Sequence, residues 1–167
     1  MLNSLQEKIK FANTYSLLPI LIEAQNDFPK STILKLLGEN WSTIDNFGIY
    51  HKELRRLFKG RKGMQPWLMT SSHIELVAWH KLAKNITVFR GCYSFNKTGF
   101  SWTLNRKVAV DFAIKHHRYT QKNMTPLLLT AQISKFDIAG LVLDRNEDEV
   151  VIISKPKNIK VEILAHR

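Results

Sequence analysis

The period of the hydrophobic pattern changes near residue 85, and that change limits the fold more than any other feature. Up to residue 85, apolar residues recur every three or four positions, the spacing of helices with one buried face. From residue 86 onward they gather in short β-branched and aliphatic runs bounded by turn-forming residues, which is how strands read. Helices followed by strands, without regular alternation, predict an α+β fold with a mostly antiparallel sheet. At 167 residues the chain is expected to be one domain. Residues 1–85 form its mainly helical N-terminal part and 86–167 its β-rich core.

Local signals fill in this outline. SLQE at 4–7 and SHIE at 72–75 both read as capping boxes, with Ser4 and Ser72 as N-caps. Ser31 is placed to cap a short helix stopped by Gly38. From Thr43 to about Lys59, Phe47, His51, Leu54 and Phe58 recur at helical spacing and predict one helix with a buried stripe. Lys52, Arg55, Arg56 and Lys59 then share a different, exposed face. Strands are predicted at 86–90, 100–103, 127–133, 141–143, 149–153 and 160–164, with turns at Gly99, Gly140 and 155–158. One helix interrupts them, capped by Asn105, with Val108, Ala109, Phe112 and Ala113 on its apolar side. Alternation along SWT at 101–103 puts Ser101 and Thr103 on one face and Trp102 on the other, in the core.

Composition bounds the partners. Hydrophobic residues at 44% and charged residues at 23% describe an ordinary globule, but the net charge of +11 implies attraction to nucleic acid or to an acidic protein. The densest basic segment holds Lys52, Arg55, Arg56, Lys59, Arg61 and Lys62 against Glu53, and is the candidate nucleic-acid contact. The apolar run LLPILI at 17–22 is too short to span a bilayer and lacks the flanks of a signal peptide, so no membrane partner is expected. One cysteine, Cys92, excludes an internal disulfide and suits a reducing cytoplasm. It is expected to be a small buried residue, since no His–Asp arrangement would activate it. His116 and His117 have no acid or thiol at ligand spacing, so no metal is expected.

Three short motifs follow one another in the second half. They are FRG at 89–91, SWT at 101–103 with DFA on the next helix, and EDE at 147–149 leading into a strand. Taken in order, each at the appropriate end of its element, they resemble the arginine–serine–glutamate class of mono-ADP-ribosyltransferases, the fold of many bacterial toxins. The resemblance spans roughly 86–153 and leaves 1–85 without a counterpart. It implies an ADP-ribosyltransferase-like split antiparallel sheet, NAD as co-substrate and no metal. Ten residues separate Arg90 from Ser101, fewer than in well-known toxins of the class. The resemblance is thus to compact members, and the loop over the nicotinamide is reduced or built differently.

The resemblance also implies roles. Glu149 matches the catalytic glutamate that holds the nicotinamide-ribose 2′-hydroxyl, beside the positive charge that develops on the ribose. Arg90 is implied to clamp a phosphate of NAD, and the backbone at Gly91 to approach the carboxamide. Ser101 would orient the glutamate or the ribose, and Thr103 would brace the strand. Phe112 either stacks on nicotinamide or packs in the core beside Val108 and Ala109. Glu147 is either a base facing the acceptor or a solvated acid, with Asp148 turned away. In the family, glutamate at the Glu147 position accompanies guanidinium acceptors, whereas the net charge here favours nucleic acid, so both acceptor classes stand. Without a visible secretion signal, the expectation is an intracellular toxin of a toxin–antitoxin or phage-defence system, with an antitoxin as a possible partner. Water as acceptor would make it an NAD glycohydrolase. A basic nucleic-acid-binding module without catalysis is the reading from another class.

Overall fold

The computed structural model describes residues 2–45, 47–59, 69, 72–115, 124–143, 145–152 and 154–165. Five helices come first: α1 (Leu2–Lys10), α2 (Leu17–Glu23), α3 (Lys30–Glu39), α4 (His51–Phe58) and α5 (His73–Lys81). Strands β1 (Asn85–Cys92) and β2 (Ser101–Thr103) lead to α6 (Arg106–Lys115). Strands β3 (Leu127–Ser134), β4 (Ile138–Val142), β5 (Glu149–Ile152) and β6 (Lys160–Ile163) follow. The fold is α+β, as the switch in period predicts. Among the described residues, no helix is long and apolar enough to cross a membrane.

Among the described residues the strands lie in one open antiparallel sheet of order β4-β5-β2-β1-β3-β6, continuous rather than split as the resemblance implies. Register fixes which side chains share a face, because directly paired residues point the same way. Phe89 pairs with Thr103 and Thr103 with Glu149, and Ser101 pairs with Val151. This face, at the β4-β5-β2 end, receives the N-terminal helices. Leu18, Ile33, Leu37 and Leu54 join Phe100, Val142 and Val151 in one core. On the opposite face, Ile86, Val88, Trp102, Leu129 and Val150 form a second core together with Trp79 of α5. Helix α6 seats on β1.

The two local caps nearest the sheet form as their sequences predict. Ser72 accepts the amide N–H of Glu75, and the Glu75 carboxylate accepts that of Ser72 at 3.0 Å. The same buried carboxylate accepts the Leu143 N–H at 3.3 Å, tying α5 to the end of β4. Asn105 caps α6 by accepting the N–H of Lys107 at 3.0 Å.

Four helix ends differ from their expectations. Helix α1 is already under way at Leu2, so Ser4 lies inside its first turn rather than capping it. Pro29, extended at ψ 142°, is the residue before α3, which begins at Lys30, so Ser31 lies inside the first turn rather than capping it. That helix also passes Gly38 and stops at Asn40. The helix expected over 43–59 is only α4. Trp41–Thr43 form a single 3₁₀ turn, Ile44 is extended, and Phe47 folds back to stack on Trp41 with ring centroids 4.1 Å apart. That aromatic contact competes with a continuous helix. Of the expected stripe, Leu54 and Phe58 are buried, and the His51 ring stacks on Phe100.

Gly91 is where α6 meets β1. A Cβ there would run into the Ala109 carbonyl oxygen and the Ala113 nitrogen, both backbone atoms that cannot swing aside. Gly91→Ala is therefore expected to cost about 1–3 kcal/mol, lowering the thermal midpoint by several degrees. Circular dichroism melting checks this, and an unchanged midpoint would mean that α6 is not seated on β1.

Candidate active site

The site begins with strand pairing. Thr103 opposite Glu149 and Ser101 opposite Val151 put two hydroxyls and one carboxylate on the face toward the N-terminal helices. Glu149 is half-buried. Its carboxylate is hydrogen-bonded by the Ser101 side chain and accepts the indole N–H of Trp41 at 2.9 Å, across 108 residues of sequence. Thr103 turns out to hold the turn ahead of β5. Its hydroxyl donates to the Glu147 carbonyl at 2.6 Å and accepts the Asn105 N–H at 3.0 Å. Leu104 N–H adds a bond to the Asp148 carbonyl at 3.0 Å. In this turn Asn146 and Asp148 have φ of 54° and 45°, a left-handed geometry that short polar side chains tolerate best. EDE therefore enters β5 through a sharp turn that β2 grips from the side.

Arg90 is placed differently from the expected phosphate clamp. It pairs with Leu129, so its side chain leaves β1 on the face opposite the Thr103–Glu149 row. The guanidinium then donates to the Ser101 carbonyl and, at 3.0 Å, to the Asn96 carbonyl. It packs against Gly99, where a Cβ would collide with it. Arg90 thus fixes the connection between β1 and β2, while its charge remains close enough to Glu149 to favour the ionised carboxylate. Gly91 is buried beneath α6, so its absent side chain serves helix packing. Phe112 is 41% exposed while Ala109 and Ala113 are buried, which removes the core reading of Phe112.

Burial pushes the Glu149 carboxyl above the usual glutamate range, and the nearby Glu147 charge pushes the same way. The Ser101 and Trp41 hydrogen bonds and the Arg90 charge oppose the rise. Burial likewise pushes the Cys92 thiol up, against the charges of Arg90 and Lys97, and it is a small buried residue as expected.

The basic face of α4 forms as expected, with Lys52, Arg55, Arg56 and Lys59 exposed. Arg61 and Lys62, like His116 and His117, lie outside the described residues. The Arg55 guanidinium sits 5.6 Å over the Phe100 ring and joins Lys97 and Lys155 around a shallow cleft floored by Phe100 and Trp102. A second cleft of about 300 Å³ is lined by Gln132, Ser134, Asp137 and Lys157 among others, and Glu149 lines neither. Trp41 is the site residue that the sequence did not reveal. Nothing near position 41 marks it, because its partner is set by tertiary packing alone. No known protein family, curated protein or solved structure matches this chain.

A buried acid leaves a thermodynamic mark. Because the folded pKa of Glu149 is raised, the native state holds more protons than the unfolded chain between the ordinary glutamate range and the folded value. Stability contributed at this site therefore falls as pH rises through that window. Glu149→Gln is expected to melt above the parent near neutral pH and to lose that advantage toward about pH 4, by calorimetry. An advantage that ignores pH would place the carboxylate in ordinary solvent.

Proposed function

We propose that the protein cleaves NAD at the nicotinamide–ribose bond and passes ADP-ribose to a macromolecular acceptor, with nucleic acid favoured by its surface charge. The observation that carries this reading is the cross-strand unit of Ser101 and Glu149, steadied by Thr103. It matches the way arginine–serine–glutamate transferases hold their catalytic glutamate. The helix between β2 and β3 and the glutamate-led strand beside β2 support an ADP-ribosyltransferase-like core, although the strands form one continuous sheet rather than the split sheet that the resemblance implies.

The chemistry suits these groups. The bond from ribose C1′ to the pyridinium nitrogen breaks, its electron pair stays on that nitrogen, and neutral nicotinamide leaves without needing a proton. Positive charge gathers on the ribose in an oxocarbenium-like transition state, and ionised Glu149 both opposes it and accepts the 2′-hydroxyl proton in a hydrogen bond. A lone pair on the acceptor forms the new bond to C1′, and its proton passes to Glu147 or to water. Arg90 acts by fixing residues 96–101 through the Asn96 and Ser101 carbonyls, and its charge favours the ionised form of Glu149. Phe112, exposed on α6, offers a ring to the nicotinamide. Water in place of the acceptor gives simple hydrolysis.

Glu149→Gln keeps the size and one acceptor oxygen but removes the charge. Nicotinamide release from labelled NAD is expected to fall by roughly 10²–10³-fold with NAD binding retained. Release equal to the parent's would overturn the assignment.

The acceptor reading rests on the α4 face, which continues past Arg55 to Lys97 and Lys155. Each phosphate that these cations neutralise steepens the salt dependence of binding without selecting a base. In fluorescence titrations with a single-stranded oligonucleotide, the double change Arg55→Glu and Arg56→Glu should reduce the slope of log K against log salt by about two. An unaltered slope would leave the face merely solvated and make a protein guanidinium the better acceptor.

A further inference from the structure

Trp41 reaches Glu149 from the part of the chain that has no counterpart in the resemblance. Its ring is buried at 1% exposure, sits in the same core as Val142 and Val151, and is held by Phe47 stacked at an interplanar angle of 27°. The indole N–H is therefore aimed by packing on both sides and has little freedom to point elsewhere. A buried indole does need a partner, but a backbone carbonyl would satisfy it, as Lys135 does for Trp79 at 3.2 Å. A half-buried carboxylate is a costly choice for that purpose alone, since burial disfavours its charge. An indole nitrogen donates and never accepts, and such a bond strengthens when the acceptor is ionised.

We infer that Trp41 is a positioning residue for Glu149, its indole N–H and the Ser101 hydroxyl together fixing the carboxylate that faces the ribose. This rests on the reading of Glu149 as the catalytic glutamate. It makes the helical half of the chain part of the active centre, because the donor comes from the turn after α3. The charges that bear on the same carboxylate are Glu147, ahead of β5, which disfavours its ionised form, and Arg90, whose side chain leaves β1 on the opposite face and favours it.

The test uses the full chain and Trp41→Phe, which keeps an aromatic ring against Phe47 and deletes the donor. With the donor gone, ionised Glu149 loses support, so the acid limb of kcat for NAD cleavage should move to higher pH. On that limb kcat is expected to be roughly tenfold lower, with KM little changed. The carboxyl carbon of Glu149, followed by NMR in glutamate-labelled protein and assigned with Glu149→Gln, should titrate at higher pH in the variant than in the parent. A folded variant whose pH profile and carboxyl titration coincide with the parent's overturns the role of Trp41. If the variant does not fold, the parent decides: the Trp41 indole resonance must shift together with the Glu149 titration, and an indole indifferent to it overturns the inference. A parent that releases no nicotinamide at any pH overturns instead the catalytic reading underneath, which the titration alone would leave standing.

Discussion

Three residues hold the two ends of the sheet together. Strand β2 pairs with β5 through Ser101, Trp102 and Thr103, and with β1 through Thr103 opposite Phe89. Remove it and β4-β5 loses its connection to β1-β3-β6. A three-residue strand is at the short end of what sheets use, so its backbone ladder alone is a weak seam. The reinforcements lie on either side. Ile152 N–H reaches the Phe100 carbonyl at 2.9 Å, Leu104 N–H the Asp148 carbonyl, and the Arg90 guanidinium the Ser101 carbonyl. Trp102, at 3% exposure, pins the strand to the core beneath. Residues that read as chemistry in the sequence are in part the fastenings of this seam.

That double duty explains why the site sits here. Under the proposed function, the carboxylate of Glu149 has to be rigid and partly withdrawn from water to act on a developing cation, and a seam gripped from several directions supplies rigidity. Withdrawal has a thermodynamic cost, visible as the raised pKa of Glu149, and the Ser101 and Trp41 hydrogen bonds only partly offset it. An acid kept in such surroundings despite that cost is a mark of functional sites more than of structural ones. The N-terminal helices supply the cover: their core runs unbroken from Leu18 and Ile33 to Val142 and Val151, and Trp41 lies within it.

Much of this was legible in the sequence where the cause is local. Six strands were readable from short β-branched runs, and the Ser72–Glu75 and Asn105 caps from side chains within three residues of the amides they satisfy. Alternation alone placed Ser101 and Thr103 apart from Trp102. Local reasoning failed where a distant contact outweighed it. The stripe at 43–59 has helical spacing, yet Phe47 stacks on Trp41 and α4 begins only at His51. Ser31 is a good cap that Pro29 pre-empts. The packing need at Gly91 was not legible because the helix pressed against it lies some twenty residues further along.

The sequence by itself determined the class of fold, the order of the strands, the order of the arginine, serine and glutamate motifs, and the basic face of α4, while β4 begins at Ile138 and runs through Gly140, where a turn was expected. All of these follow from side-chain type and from spacings of two to four residues, which backbone geometry converts directly into faces and ends. Only the tertiary structure decided what those residues touch. Arg90 turned to backbone carbonyls because the register sent it to the opposite face from Glu149. The helical half became the cover of the carboxylate because its apolar surface had to be buried against Val142 and Val151. Trp41 met Glu149 through packing between residues 108 positions apart, a contact that depends on the shapes of two assembled layers and leaves no trace in either local sequence.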